Sequence, residues 1–146
     1  MTFLDRWQGP LLSILRIVAA LLFIEHGTTK LLGFPSLPPT MTAPVPALSF
    51  MGLAGLIEAI GGLFLLAGFL TRPVAFLLSG EMAIAYWMFH APKSTFPSIN
   101  MGDAAILFCF VFLYLAAAGP GPWSLDHSQG RTRRTDIDPV ADRTGI

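Results

Sequence analysis

Four apolar segments alternate with polar or proline-rich stretches along the chain, and they cover residues 10–32, 47–70, 73–90 and 101–118. A helix rises about 1.5 Å per residue, so about 20 residues cross the hydrocarbon core of a bilayer. Backbone polar groups in lipid must be satisfied within a helix or a closed barrel. The pattern therefore predicts an all-α fold, namely an integral membrane four-helix bundle.

Residues typical of helix ends bound these segments. Thr71 is predicted to cap the third helix, with Pro73 in its first turn. Asn100 is predicted to cap the fourth helix, which ends before residues 119–122 (GPGP) because proline cannot continue a helix. We expect residues 1–126 to form a four-span membrane domain, and the polar residues 127–146 to form a disordered cytoplasmic tail.

Composition excludes several classes of function. The 146 residues are 53% hydrophobic and only 12% charged, which is too apolar for an ordinary soluble domain. Nine basic and nine acidic residues leave no positive field, so no nucleic-acid partner is expected. Cys109 is the single cysteine, which excludes an intrachain disulfide and a cysteine-rich metal site. His26 and His90 lack a third ligand pattern for haem or copper, so no metal site is predicted.

Basic residues outside the apolar segments indicate the orientation. Arg6, Arg72 and the arginines after residue 130 fall on one side of the predicted bundle, whereas Lys30 and Lys93 lie near the other. Loops with more Lys and Arg stay in the cytoplasm. Both termini are therefore predicted to be cytoplasmic.

Three carboxylates lie inside or at the head of apolar segments: Glu58, Glu81 and Asp103. A charge at bilayer depth is costly, so each should face protein or a water-filled cavity and have a partner. A carboxylate that takes up or releases a proton at this depth is what quinone chemistry or proton-coupled transport requires. We expect the bundle to have a polar interior.

The other polar residues of the predicted helices lie at similar depths in the membrane. The residues predicted to gather in the outer half of the membrane, above Glu58, are His26, Lys30, His90, Lys93, Asn100 and Asp103. The predicted site is therefore a polar pocket that opens outward.

Depth also predicts two pairings. Arg16 and Glu81 differ by about 4 Å in depth and are expected to form a structural ion pair. Glu58 is expected to accept a hydrogen bond from His26 at a similar offset. Two alternatives stay open: Arg16 could snorkel to the inner surface, and Asp103 could serve as a helix-capping carboxylate rather than as a ligand.

Small residues share one face of the second segment. Gly52, Gly55, Ala59 and Gly62 fall on this face when stepped at about 100° per residue. Helices in lipid associate through such small residues, so this face is predicted to pack against a neighbouring helix.

Several motifs, taken in their order and spacing, resemble the DoxX family of small four-helix bacterial membrane proteins. The resemblance covers residues 11–126, and one departure is Asp103, where relatives more often carry Glu. The matching stretches are residues 15–16 (LR), 26–31 (HGTTKL), 58–62 (EAIGG), 68–72 (GFLTR), 90–103 (HAPKSTFPSINMGD) and 119–126 (GPGPWSLD).

The resemblance implies a multi-pass protein of the bacterial inner membrane. The family is related to the small membrane subunit of a thiosulfate:quinone oxidoreductase, and some members are described as partners in membrane oxidoreductase complexes of redox or sulfur-stress defence. The chain has no dinucleotide or flavin motif. No covalently bound cofactor is expected, and a redox cofactor would be a diffusible quinone or belong to another subunit.

The leading hypothesis is a membrane subunit of a quinone-linked redox system, with a redox partner subunit in the bilayer. Glu58 and His26 would handle protons, while Lys30 and Asn100 would polarise a quinone or a small oxyanion. His90 and Asp103 complete the predicted substrate-binding group. The alternatives are a non-enzymatic membrane anchor or assembly partner, and a small proton-coupled carrier that would form a homo-oligomer.

Overall fold

Seven α-helices and one π-helical turn make up the secondary structure of residues 2–36 and 44–130, which the computed structural model describes. These ranges contain no strand. The long helices are α2 (Gln8–Leu32), α3 (Phe50–Ala67), α4 (Thr71–Ala85) and α6 (Asp103–Ala118), and the short ones are α1 (Thr2–Asp5), α5 (Pro97–Asn100) and α7 (Leu125–Ser128). The π-helical turn, Tyr86–His90, continues α4 directly.

The first two long helices lie within the predicted segments or close to their bounds. Helix α2 ends at Gly33, whose φ of 66° lies in the left-handed region that glycine adopts without strain. Helix α3 is shorter than the predicted 47–70. It starts after Ser49, whose hydroxyl accepts from the backbone N–H of Gly52 at 3.0 Å, and it stops at Gly68 with φ 66°.

The starts of the third and fourth long helices differ from the predicted caps. Leu70, in the left-handed region, precedes α4, and the carboxylate of Asp126 accepts from the backbone N–H groups of Leu70 and Thr71 at 2.9 and 2.8 Å. Helix α6 starts at Asp103, after Gly102. The predicted cap at Asn100 is therefore wrong, because Asn100 ends α5 and its side chain accepts from the N–H of Gly102 instead.

The long helices pack most closely as two pairs, α2 with α3 and α4 with α6. The backbones of α2 and α3 nearly touch, since a Cβ on Gly27 would lie 2.6 Å from the backbone nitrogen of Ala59. A Cβ on Gly62 would lie 2.6 Å from the side chain of Ile24. The predicted packing role of the small face of α3 is confirmed.

Helices α4 and α6 are held by a hydrogen bond and a shared core. The hydroxyl of Ser79 donates to the carbonyl of Cys109 at 2.8 Å. Phe23 of α2 meets Phe112 of α6 edge to face, with ring centroids 4.8 Å apart, and both are buried. The two pairs therefore share one apolar core.

Two helices of the described ranges, α2 and α3, are long and apolar enough to cross a membrane. Helix α6 is apolar but has 16 residues. The predicted tail begins inside a helix, because α7 ends at Ser128 rather than before residue 127. Residues 131–146 of that tail, and residues 37–43 of the proline-rich loop, lie outside the described residues.

Candidate functional site

A cavity of about 1040 Å³ lies where the two helix pairs face each other. Its walls come from α2, α3, α4, the π-helical turn, Met101 and α6, and they are mostly apolar. The aromatic wall residues are Phe23, Phe50, Phe76, Phe89 and Phe108. The polar wall residues are His26, Lys30, Glu58, Glu81 and His90.

An ion pair between Lys30 and Glu58 joins α2 to α3 at this cavity. The Glu58 side chain is 2% exposed, and its Oε1 accepts from Lys30 Nζ. Its other oxygen, Oε2, is buried and has no hydrogen-bond partner among the described residues. A buried carboxylate is stable only when a cation or several donors compensate it. Lys30 supplies that compensation for one oxygen, and the second oxygen is left free at the cavity.

The predicted hydrogen bond between Glu58 and His26 is replaced by this ion pair. His26 lies one turn before Lys30 on the same face of α2, and both residues line the cavity. The ring of His26 packs edge to face on Phe108, with centroids 6.0 Å apart. Lys30 reaches Glu58 because its side chain is long and the backbones of α2 and α3 approach closely at Gly27.

The predicted ion pair between Arg16 and Glu81 is not formed, because Arg16 binds main-chain carbonyls at the other end of the helices. Its Nε donates to Pro120 at 2.9 Å, its Nη1 to Leu65 and Leu66, and its Nη2 to Trp123. The residue is fully buried, so it does not snorkel to a surface. Carbonyls in the last turn of a helix lie at the negative end of its dipole, where a cation is favourable, and the carbonyl of Leu65 also accepts from the N–H of Gly68. Arg16 therefore joins α2 to the end of α3 and to the segment after α6.

Glu81 lines the cavity with neither oxygen hydrogen-bonded to a described residue, and both oxygens are buried. Lys30 and Glu58 line the same cavity. Two carboxyl groups and one ammonium group therefore belong to one cavity wall. Three of the four carboxyl oxygens, both of Glu81 and one of Glu58, have no hydrogen-bond partner among the described residues.

The remaining predicted binding residues divide between the cavity wall and its support. His90 lines the cavity, and its Nδ1 donates to the carbonyl of Asn100 at 3.0 Å, since a carbonyl can only accept. Asn100 is buried outside the cavity wall, where its amide donates to the carbonyl of Ser94 at 2.8 Å and shapes the loop before α6. Asp103 is exposed, does not line the cavity, and makes no capping hydrogen bond among the described residues.

The described residues contain no group of three or more His, Cys, Asp or Glu side chains that would hold a metal ion. The cavity wall instead combines one cation, two carboxyl groups and two imidazoles. Such a set can donate and accept hydrogen bonds and exchange protons.

Asp126 is a residue whose role the sequence reasoning missed. It is 8% exposed, and it binds the start of α4 from the far end of the described chain. Its backbone N–H donates to the carbonyl of Gly68 at 2.9 Å, so the contact is two-sided. The available signal was a lone carboxylate inside the conspicuous stretch 119–126.

All five polar wall residues of the cavity fall within residues 11–91, which match the family model described as DoxX. The chain belongs to the DoxX family. A Haemophilus influenzae (strain ATCC 51907 / DSM 11121 / KW20 / Rd) protein described as uncharacterized is 41% identical over 87% of this chain and 96% of its own length. No solved structure matches the chain.

Two further DoxX relatives carry names that give a location. Inner membrane protein YqjF of Escherichia coli (strain K12) is 32% identical over 77% of this chain and 87% of its own length. Inner membrane protein YphA of the same strain is 34% identical over 80% of this chain and 88% of its own length. This DoxX chain is accordingly a protein of the bacterial inner membrane, which agrees with the apolar length of α2 and α3.

Proposed function

We propose that this DoxX protein is the quinone-binding membrane subunit of a redox system. The observation that supports the proposal is that the Lys30–Glu58 pair and the unpartnered carboxyl group of Glu81 line the same large, mostly apolar cavity. Ligand sites are mostly apolar, with a few polar groups that fix orientation. A quinone matches this division, because its ring and tail are apolar and its two oxygens accept hydrogen bonds.

The size and lining of the cavity favour a lipid-soluble ring. A volume of about 1040 Å³ exceeds the roughly 300 to 1,000 Å³ of common ligand sites, so the ring and part of a tail fit together. The aromatic wall offers stacking and edge contacts to such a ring.

The exposed residues of the cavity wall include large apolar side chains. Phe76, Leu77 and Ile84 of α4 line it and are 67%, 59% and 53% exposed, and Leu53 of α3 is 48% exposed. In a bilayer this side of the helices meets lipid. A lipid-soluble ligand would therefore reach the polar residues of the cavity wall without crossing water.

Reduction of a quinone to a quinol consumes two electrons and two protons. The electrons would come from a redox partner protein, with sulfur compounds or oxidative stress as the physiological setting that the family resemblance implies. Lys30 would donate to a ligand oxygen, Glu58 would hold and exchange a proton, and the exposed His26 would connect the cavity to water at the surface.

We also propose four membrane spans with both termini in the cytoplasm. Helix α4 and the π-helical turn together supply 20 residues, or about 30 Å of helix. Arg72 lies at the end of the bundle that contains Arg16, and Lys30 lies at the opposite end, so the charge bias supports this orientation. A fluorescent protein fused after the last residue should be fluorescent, whereas alkaline phosphatase at the same position should be inactive; the reverse result would overturn the orientation.

Binding of a radiolabelled short-chain ubiquinone analogue tests the quinone site. The full chain in lipid nanodiscs should bind it saturably, and Lys30→Met and Glu58→Gln should each weaken binding about tenfold, the loss of one charge-assisted hydrogen bond. Lys93→Met removes a cation outside the cavity and should leave binding unchanged. Absence of saturable binding to the wild-type protein, or equal effects of Lys30→Met and Lys93→Met, would overturn the proposal.

The same variants separate the two alternative functions. A membrane anchor predicts that Glu58→Gln lowers stability and recovery of a co-purified partner in parallel, without a quinone effect. A proton-coupled carrier predicts counterflow of a labelled substrate in proteoliposomes that Glu58→Gln abolishes.

A further inference from the structure

We infer that Glu81, rather than Glu58, makes the primary contact with the ligand, and that it does so as a neutral carboxylic acid that donates a hydrogen bond to an uncharged oxygen acceptor. This inference rests on the proposed quinone function and names the chemical class that the site selects. It gives Glu81 a role other than the structural ion pair that its sequence position suggested.

Of the two carboxyl groups in the cavity wall, Glu58 is the one that a cation already neutralises. Glu58 Oε1 accepts from Lys30 Nζ, so these two residues form a neutral pair. Glu81 has no cation and no donor within hydrogen-bond distance among the described residues, although both of its oxygens are buried. An ionised carboxylate in such a place is costly, and a buried acid without a partner keeps its proton instead. The cavity wall then contains one ion pair and one neutral acid.

Four other titratable side chains line the same cavity. They are Glu58 of α3, Lys30 and His26 of α2, and His90 of the π-helical turn, while the lining residues of α6 are Ala104, Ala105 and Phe108. The single lysine is engaged by Glu58, and the Nδ1 hydrogen of His90 is engaged by the carbonyl of Asn100. Among the described residues, Lys30, Glu58 and His90 each make a polar contact to the protein, whereas both oxygens of Glu81 make none.

The protonation state of Glu81 limits the charge of the ligand that it can bind. A neutral acid donates to a carbonyl oxygen, whereas an anionic ligand would also need a free cation. A cationic ligand would need Glu81 ionised in an apolar cavity. The geometry thus selects an uncharged acceptor, and a quinone carbonyl is one.

A proton-transfer step follows from this arrangement. When the redox partner of the proposed function delivers two electrons to the quinone, the O–H bond of Glu81 breaks and a new O–H bond forms on the ligand oxygen. The second proton comes from water by way of the cavity. The resulting Glu81 carboxylate lies near Lys30 until it regains a proton from water, which returns the site to its starting state.

Infrared spectroscopy of the full chain in nanodiscs tests the proton directly. The ligand-free protein at neutral pH should show the carbonyl stretch of a protonated carboxylic acid. Glu81→Gln should remove this band, whereas Glu25→Gln should keep it, since Glu25 is an exposed carboxylate outside the cavity wall. A band that survives in Glu81→Gln would overturn the inference.

Ligand binding to two variants tests whether the carboxyl group of Glu81 donates a hydrogen bond. One variant keeps a hydrogen-bond donor and the other removes it. Glu81→Gln keeps a donor of similar size and should bind the uncharged ubiquinone analogue within about threefold of wild type, whereas Glu81→Leu should weaken binding about tenfold. Size-exclusion elution and helical circular dichroism establish that each variant is folded. Tetraphenylphosphonium, a lipophilic cation, should bind more weakly than the quinone analogue.

The outcomes separate this inference from the proposed function. Saturable quinone binding that Glu81→Leu leaves unchanged would overturn the role of Glu81 and retain the quinone site. Tighter binding of the lipophilic cation than of the quinone would overturn the ligand class. An infrared band assigned to Glu81 without any quinone binding would retain the neutral acid and overturn the proposed function.

Discussion

Lys30 of α2 and Glu58 of α3 form their ion pair one turn from the closest approach of the two helices, where Gly27 faces Ala59. A Cβ on Gly55 would lie 3.0 Å from the Cβ of Lys30, so the lysine stem runs directly over α3. Close packing and charge pairing thus depend on each other. Substitutions of Lys30 and of Gly27 test this dependence.

Substitution of Lys30 alone should destabilise the protein more than substitution of both Lys30 and Glu58. Lys30→Met leaves Glu58 buried without compensation, and we expect the free energy of unfolding to fall by about 3 kcal/mol or more. The double variant Lys30→Met/Glu58→Gln should recover much of that loss, because no unpaired charge is left. Unfolding by SDS titration in mixed micelles measures both. Additive effects of the two substitutions would contradict the pair.

Gly27→Ala should destabilise the contact between α2 and α3. The new methyl group would lie 2.6 Å from the backbone nitrogen of Ala59 and 2.8 Å from the carbonyl oxygen of Gly55, so the backbones must separate. We expect a loss of about 1 to 3 kcal/mol in the same titration. The matched control is Gly80→Ala in α4, where a Cβ meets nothing within 4 Å and alanine favours the helix. Equal effects at the two glycines would contradict the close approach.

Arg16→Met should be among the most destabilising substitutions. It leaves four carbonyl oxygens without their buried donor, and we expect the free energy of unfolding to fall by about 3 kcal/mol or more. Arg16→Lys should give an intermediate loss, because an ammonium group lacks the planar fork of donors. Arg72→Met, at an exposed arginine that also binds carbonyls, is the control and should cost about 1 kcal/mol or less. Rescue of Arg16→Glu by Glu81→Arg would contradict the assignment of Arg16 to main-chain acceptors.

Asp126→Ala should weaken the start of α4. The carboxylate satisfies two N–H groups at the helix N-terminus, where such a cap contributes about 1 to 2 kcal/mol. Hydrogen exchange of the Leu70 and Thr71 amides should speed up together with the fall in stability. Asp103→Ala is the matched control, because Asp103 is an exposed aspartate at the start of α6 with no capping hydrogen bond among the described residues. A larger effect at Asp103 would restore its predicted capping role.

Part of the cavity wall could be predicted from spacing alone. His26 and Lys30 are four residues apart in a helix, so they share a face, and both line the cavity with Glu58 and His90. Asn100 and Asp103 were predicted at the same depth, yet Asn100 supports the loop and Asp103 faces outward. Depth along a helix axis places a residue at a level but does not give the direction of its side chain around the axis.

The amino-acid sequence by itself determined that the chain resides in a membrane and which segments are helical, because a bilayer accepts only long apolar stretches whose backbone groups bond internally. The partners of the buried charges were decided only by the tertiary structure. Arg16 binds carbonyl oxygens, which every residue carries and no sequence pattern marks. Lys30 reaches Glu58 because the backbones of α2 and α3 approach closely at Gly27, and Glu81 has no hydrogen-bond partner among the described residues because the lysine of the cavity wall is already paired with Glu58. These outcomes depend on helix rotation and separation, which packing in three dimensions determines.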